Sequence, residues 1–176
     1  MRHAIALCAL LLCACDTMQR ASSTLFGGEA ETRPAQTGLE APLIPRGGSA
    51  ASGSVRFTAR GDAVTMLVHV DGLHPGQYRV LVHETGNCSS PNAFSAGPPW
   101  SPPGSAAPLY ERLPTFSTSS EGTGTMTVRV SGVAIGMLSG RSVVVHDTPN
   151  GPFTTEPDVR NGRVACGVIG PLRSLF

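Results

Sequence analysis

Near its end the chain reads Gly162-Arg163-Val164-Ala165-Cys166-Gly167-Val168-Ile169-Gly170, a β-branched and small-residue run closed at both ends by glycine. Such a run suits a strand and is too short for a helix of ordinary length. Upstream, Gly140-Arg141-Ser142-Val143-Val144-Val145-His146 repeats the form, glycine first and then three valines in succession. Working further outward, strand patterns cover residues 123–130, 78–84, 63–70 and 54–59. In 54–59 the residues Val55, Phe57 and Ala59 fall on one side and polar residues on the other. The 63–70 run stops at Asp71-Gly72; the 78–84 run is entered through Pro75-Gly76 and left through Thr85-Gly86-Asn87. A fainter strand signal lies near 38–44. Several short strands between turn signals predict an all-β domain, an antiparallel sandwich or barrel.

Composition agrees, and it excludes several functions. With 21 Gly and 15 Pro among 176 residues, turns are plentiful and long helices have little room. Net charge is +1 and only 14% of residues are charged, so no basic stripe is available to neutralise phosphates and no nucleic acid is expected as partner. Between residues 89 and 119 a stretch dense in Pro, Ser and Gly shows no periodic element. Long irregular segments inside compact domains are commonly functional.

The N-terminus carries its own signal. Arg2 and His3 precede an uncharged apolar run over residues 4–14, the form of a secretory leader, and far shorter than the roughly 20 residues of a membrane-spanning helix. Its end, Leu12-Cys13-Ala14-Cys15, resembles a bacterial lipobox, which makes residues 1–14 a lipoprotein signal peptide and Cys15 the lipidated first residue. Residues 15–50, rich in Ala, Gly, Ser, Thr and Pro, then form a tether, with the possible first strand near 38–44 inside it, and residues 51–176 form the barrel domain. The partner so implied is a membrane, and the location is the periplasm or cell envelope. Once Cys8 and Cys13 leave and Cys15 takes the lipid, Cys88 and Cys166 remain as a pair that an exported domain usually bridges.

Specific stretches resemble one family. Gly72-Leu73-His74-Pro75-Gly76 with Val82-His83-Glu84-Thr85-Gly86-Asn87-Cys88, then Ser95-Ala96-Gly97-Pro98, then the two closing runs quoted first, resemble in order the pattern of copper/zinc superoxide dismutases. The resemblance implies an eight-stranded Greek-key barrel with one intradomain disulfide, Cys88 to Cys166. It also implies a binuclear site, and there the match thins. Where the family has two histidines flanking a valine, this chain reads Leu81-Val82-His83; where the bridging histidine follows Ser-Ala-Gly-Pro, it has Pro99. The zinc-ligand positions fall at about Leu109 and Arg112. His83 and His146 remain as copper ligands, and Arg163 stands where the family guides superoxide to its metal.

Two imidazoles can hold Cu(I) near-linearly but leave Cu(II) loosely bound, and Leu and Arg make no zinc site. The reading is therefore a superoxide dismutase-like envelope lipoprotein without zinc and without efficient dismutation, needing no cofactor. An alternative is a working copper protein, taking superoxide or copper, in which His83 and His146 are completed by Met126 or Met137. A third is a protein-interaction module whose contact surface is the Pro-rich 98–114 segment with Trp100 and Tyr110, since Trp and Tyr favour interface hot spots. A homodimer or an unidentified protein partner stays open. His69 is expected to face solvent.

Overall fold

A computed structural model describes residues 38–148 and 162–172. Strands β1 (Gly38–Pro45), β2 (Ser52–Arg60), β3 (Ala63–Asp71) and β4 (Gln77–His83) come first. A single helical turn, α1 (Leu109–Arg112), and the three-residue β5 (Thr115–Ser117) follow. β6 (Gly124–Ser131), β7 (Ser142–Asp147), β8 (Arg163–Val168) and the two-residue β9 (Gly170–Pro171) complete the order. The leader over 1–14, Cys15 and the tether as far as residue 37 lie outside the described residues.

Alternation builds the strands. On β3, Val64, Met66, Val68 and Val70 are buried while Leu67, His69 and Asp71 are exposed, so His69 faces solvent as its spacing predicts. On β2, Val55 and Phe57 are buried but Ala59 is exposed. Gly61 turns that hairpin at φ 63°, a left-handed value that glycine adopts without a Cβ clash.

Pairing is antiparallel throughout, in the order β5-β4-β7-β8-β1-β2-β3-β6. A bridge between Thr118 and Gly124 brings the two ends of that order together, so the barrel is nearly closed. The β3–β4 and β6–β7 links cross between strands that are not neighbours, which is the Greek-key connection. β1 pairs with β2 over six residues and with Cys166 and Ala165 of β8, so the barrel's first strand precedes residue 51, where the sequence alone begins the domain.

The main core holds Val55, Phe57, Met66, Val68, Val80, Val82, Val143, Val145 and Ile169. A smaller cluster sits apart, formed by Cys88, Ala93, Ala96, Val144 and Cys166. At its centre Cys88 and Cys166 form the disulfide, with Cα atoms 5.7 Å apart and a sequence separation of 78. Closing a loop of that size stabilises the fold by up to about 4–5 kcal/mol in the chain-entropy account.

The 89–119 segment is more structured than its composition suggests. A 3₁₀ turn at Phe94–Ala96, α1 and β5 all lie within it, each too short to leave a periodic trace. Its Trp100 is 6% exposed and joins the main core with Leu109 and Leu113, and Tyr110 packs against that core. This corrects the reading of 98–114 as a contact surface built on Trp100: a tryptophan facing inward is a core residue.

Candidate metal centre

β4 and β7 lie side by side with Arg79 opposite His146, Leu81 opposite Val144 and His83 opposite Ser142. Directly opposed residues share a face. Val144 belongs to the disulfide cluster while Val143 and Val145 belong to the barrel core. His83 and His146 therefore stand on the face they share with Val144, beneath the loop that follows β4, and Leu81, on that face by register, packs into the main core. The β7–β8 register slips between Val145 and His146, and such irregularities commonly re-aim a side chain.

The two histidines meet. Nε2 of His83 lies 3.0 Å from Nε2 of His146, the rings are within 10° of parallel, and both residues are buried, at 0% and 2% exposure. Nδ1 of His83 lies 2.8 Å from the Gly97 carbonyl, which can only accept. His83 in its neutral form thus carries its proton on Nδ1, its Nε2 is bare, and Nε2–H of His146 is the donor between the rings. Burial pushes the His83 imidazole down to about 4; the Gly97 hydrogen bond opposes this and the Arg163 charge adds to it. His146 is held well below the usual histidine range by burial first, then by His83, Arg163 and Arg79. Both rings are neutral at pH 7.

The segment from Ala93 to Trp100 walls the pair. It runs back along the end of β4: Thr85 N–H donates to Ala96 O at 3.0 Å, Glu84 N–H to Pro98 O at 3.1 Å and Trp100 N–H to Val82 O at 2.8 Å. That zipper sets Pro99 opposite His83. Gly97, at φ 75°, turns its carbonyl toward the imidazole, a conformation costly for any residue with a Cβ. Ala93 takes a similar left-handed value, φ 57°, and its carbonyl accepts Nη1 of Arg163 at 2.8 Å. The Arg163 guanidinium also lies 4.9 Å from the centre of the Phe94 ring.

The other expected positions are elsewhere. Leu109 is 3% exposed within the core, and Arg112 at the other end of α1 donates Nη1–H to the Ser131 carbonyl at 2.9 Å. Arg112 therefore ties the loop to β6 by an exposed hydrogen bond. Met137 is 45% exposed on a 3₁₀ turn, away from a buried pair, and Met126 packs opposite Val68 in the β3–β6 ladder. Neither thioether is placed to complete the pair.

The model of the family described as copper/zinc superoxide dismutase (SODC) matches residues 51–169, more than half of the chain. The chain belongs to the copper/zinc superoxide dismutase family. Its nearly closed all-β barrel and its Cys88–Cys166 disulfide are those the family resemblance implies.

Zinc does not fit. At the positions that would hold it stand a leucine in the core, an arginine bonded to a carbonyl, and a proline, none of which offers a lone pair to zinc. Among the described residues no three of His, Cys, Asp or Glu come together as a metal group. Copper fits in part. Nε2 of His83 and Nε2 of His146 are the atoms that would hold it, and imidazole nitrogens are donors that suit copper. His146 would have to give up the Nε2 proton that now joins the rings.

Of two further residues that hold this site, Arg141 went unnoticed in the sequence and Trp100 was read as part of a surface. Arg141 lies with its guanidinium carbon 4.1 Å from the Trp100 ring centre and donates to the carbonyls of Met137 at 2.8 Å and Glu84 at 3.2 Å. The signal for Trp100 was its solitude: the only tryptophan of an aromatic-poor chain is more often an anchor for a core than an ornament of its surface.

Proposed function

We propose that this chain is an exported, lipid-anchored member of the superoxide dismutase family that takes no zinc and does not turn superoxide over efficiently. The observation that carries the reading is the donor set on β4 and β7: two imidazole nitrogens, with Leu81 and Pro99 where further histidines would stand. Cycling copper between two oxidation states needs ligands that hold both, and two nitrogens leave the geometry of Cu(II) unfixed. The place of the bridging histidine is taken by a proline, which has no group to hand a proton to reduced oxygen. What persists is the barrel, braced by its disulfide and presented at the envelope surface through Cys15.

The converging Nε2 atoms favour a second reading, copper binding without fast turnover. His83 already presents a bare nitrogen, and the protein need move only one proton to present the other. Arg163 would then draw anions to the site less freely than an exposed arginine, since Ala93 O and the Phe94 ring engage it.

The test is copper and zinc content of the purified mature chain, with superoxide turnover measured on the same sample before and after copper loading. The expected result is no zinc and turnover at the background of free copper removed by a chelator. Stoichiometric copper with turnover abolished by His83→Ala or His146→Ala would overturn the proposal. Stoichiometric copper with no turnover would select the second reading. For the anchor, Cys15→Ser is expected to move the protein from the membrane fraction to the soluble one.

A further inference from the structure

His83 is gripped through its neighbours on both sides. The carbonyl before it, on Val82, accepts Trp100 N–H at 2.8 Å. The carbonyl after it, on Glu84, accepts Nη1–H of Arg141 at 3.2 Å. The two residues that hold those carbonyls stack on each other, guanidinium over indole at 4.1 Å. A second carbonyl, that of Met137, fixes the other edge of the guanidinium at 2.8 Å. The ring of contacts is closed, and His83 lies inside it.

The same ring reaches the imidazole. Gly97, whose carbonyl takes the Nδ1 proton, is three residues from Trp100 along a segment zipped to β4 by the Glu84 and Thr85 amides. Displacing Trp100 would free that segment at one end and let the Gly97 carbonyl drift from Nδ1. A guanidinium is suited to the task because one planar group can stack on a ring and donate from its edge to two carbonyls; an ammonium can do the first and at most part of the second.

We propose that Trp100 and Arg141 are positioning residues for His83, a clamp that fixes its ring and keeps its proton on Nδ1, so that Nε2 stays bare toward His146. The proposal rests on the reading of the His83–His146 pair as the site, and not on whether that pair takes copper.

The test uses the full chain labelled with nitrogen-15 at histidine. Long-range nitrogen–proton spectra report which nitrogen carries the proton, and exchange into deuterium reports how firmly Gly97 holds it. In the unaltered chain His83 is expected as the Nδ1–H form with a slowly exchanging proton. Arg141→Gln changes a partly exposed residue outside the core. It is expected to speed that exchange about tenfold, the size expected for loss of a partly desolvated cation–π contact, while the β2 and β3 amides keep their protection. Arg141→Lys, which retains the stacked charge, is expected to fall between the two. Trp100→Phe, which keeps an aromatic face and the backbone bond to Val82, should shift exchange less than Arg141→Gln.

Unchanged Nδ1–H exchange and tautomer in Arg141→Gln would overturn the proposal, as would an accelerated exchange matched by equal loss of protection on β2 and β3. Titration with Cu(I) alone, against a competing chelator, separates this from the functional reading. If the unaltered chain binds no copper while Arg141→Gln still loosens the His83 proton, the clamp stands and the copper reading falls.

Discussion

Acid should weaken this fold through its buried histidines, and the amount can be worked out. In the unfolded chain an imidazole titrates near 6.5, whereas His83 in the folded protein is pushed down to about 4. Between those values the unfolded chain binds a proton that the folded one refuses, so stability falls as pH falls. The contribution is fully present above pH 6.5, is lost progressively through the window, and is gone below about pH 4. At about 1.4 kcal/mol per pH unit the gap caps the loss from His83 at about 3 kcal/mol. By pH 5 about 2 kcal/mol of it is spent. His146, held lower by burial and by the cations around it, acts with the same sign. Asp147, its carboxyl raised by burial, acts with the opposite sign. Asp71, lowered by its hydrogen bond from Thr123, loses its contribution only below the ordinary carboxylate range.

Urea unfolding of the chelator-treated protein at pH 7.5, 6 and 5 is the assay. A loss of 2 kcal/mol moves the midpoint by about 1 M for a chain of this size. The double variant His83→Gln, His146→Gln cannot charge and is expected to lose most of the slope above pH 5. The reasoning is refuted if the unaltered protein keeps its midpoint from pH 7.5 to 5, or if the double variant shows the same slope.

Cys88→Ser removes a cross-link closing a loop of 78 residues and is expected to cost up to about 4–5 kcal/mol, read as a fall in urea midpoint under non-reducing conditions. Trp100→Ala, in the core at 6% exposure, is expected to cost about 3–5 kcal/mol, a loss well beyond that of Arg141→Gln in the same unfolding assay. A Cβ on Gly167 would stand 2.4 Å from the Pro42 carbonyl, so Gly167→Ala is expected to pry β8 from β1 and cost about 2 kcal/mol by thermal melting. Prolonged dialysis against a chelator is expected to leave the melting temperature where it was, because a zinc ion holding the loop would otherwise have stabilised the fold by mass action.

The barrel was legible because its evidence is local. Residues 63–70 alternate, residues 142–146 carry three valines in succession, and each run ends at Gly, Pro or Asp, so strands β3 and β7 could be placed to within a residue or two. β5 was not legible: three residues cannot display a period, and what makes Thr115–Ser117 a strand is its pairing with Gln77–Arg79. The pairing of Cys88 with Cys166 could be reached by elimination among five cysteines. The contact between His83 and His146 was expected only by resemblance, since 63 residues separate them and neither carries a local sign of the other. Trp100 was misjudged for a physical reason. A tryptophan amid prolines reads as loop, and composition says nothing of which way a loop residue points. Only the backbone bond to Val82 and the stacked Arg141 show that this one points inward.

On the proposed reading, loss of metal ligands from this barrel need not have cost it stability, because apolar packing and main-chain hydrogen bonds serve at those positions. By register Leu81 shares a face with His83 and Val144, and it packs into the main core with Val80 and Val82. The leucine that stands there is fully buried, and a buried leucine is worth about 2 kcal/mol of transfer free energy with no lone pair left to satisfy. Leu109 repeats the exchange on α1, and Arg112 and Arg141 fasten the loop by hydrogen bonds to main-chain carbonyls. At these positions the contacts that could have required a metal are made by the chain itself. His83 is the one polar side chain on β4 that had to be kept neutral and bonded on both nitrogens, and it is there that Gly97, Trp100 and Arg141 converge. A histidine retained only by inertia would not need three supports. On the proposed reading the site is smaller than the family's, and these three residues hold what remains of it in place.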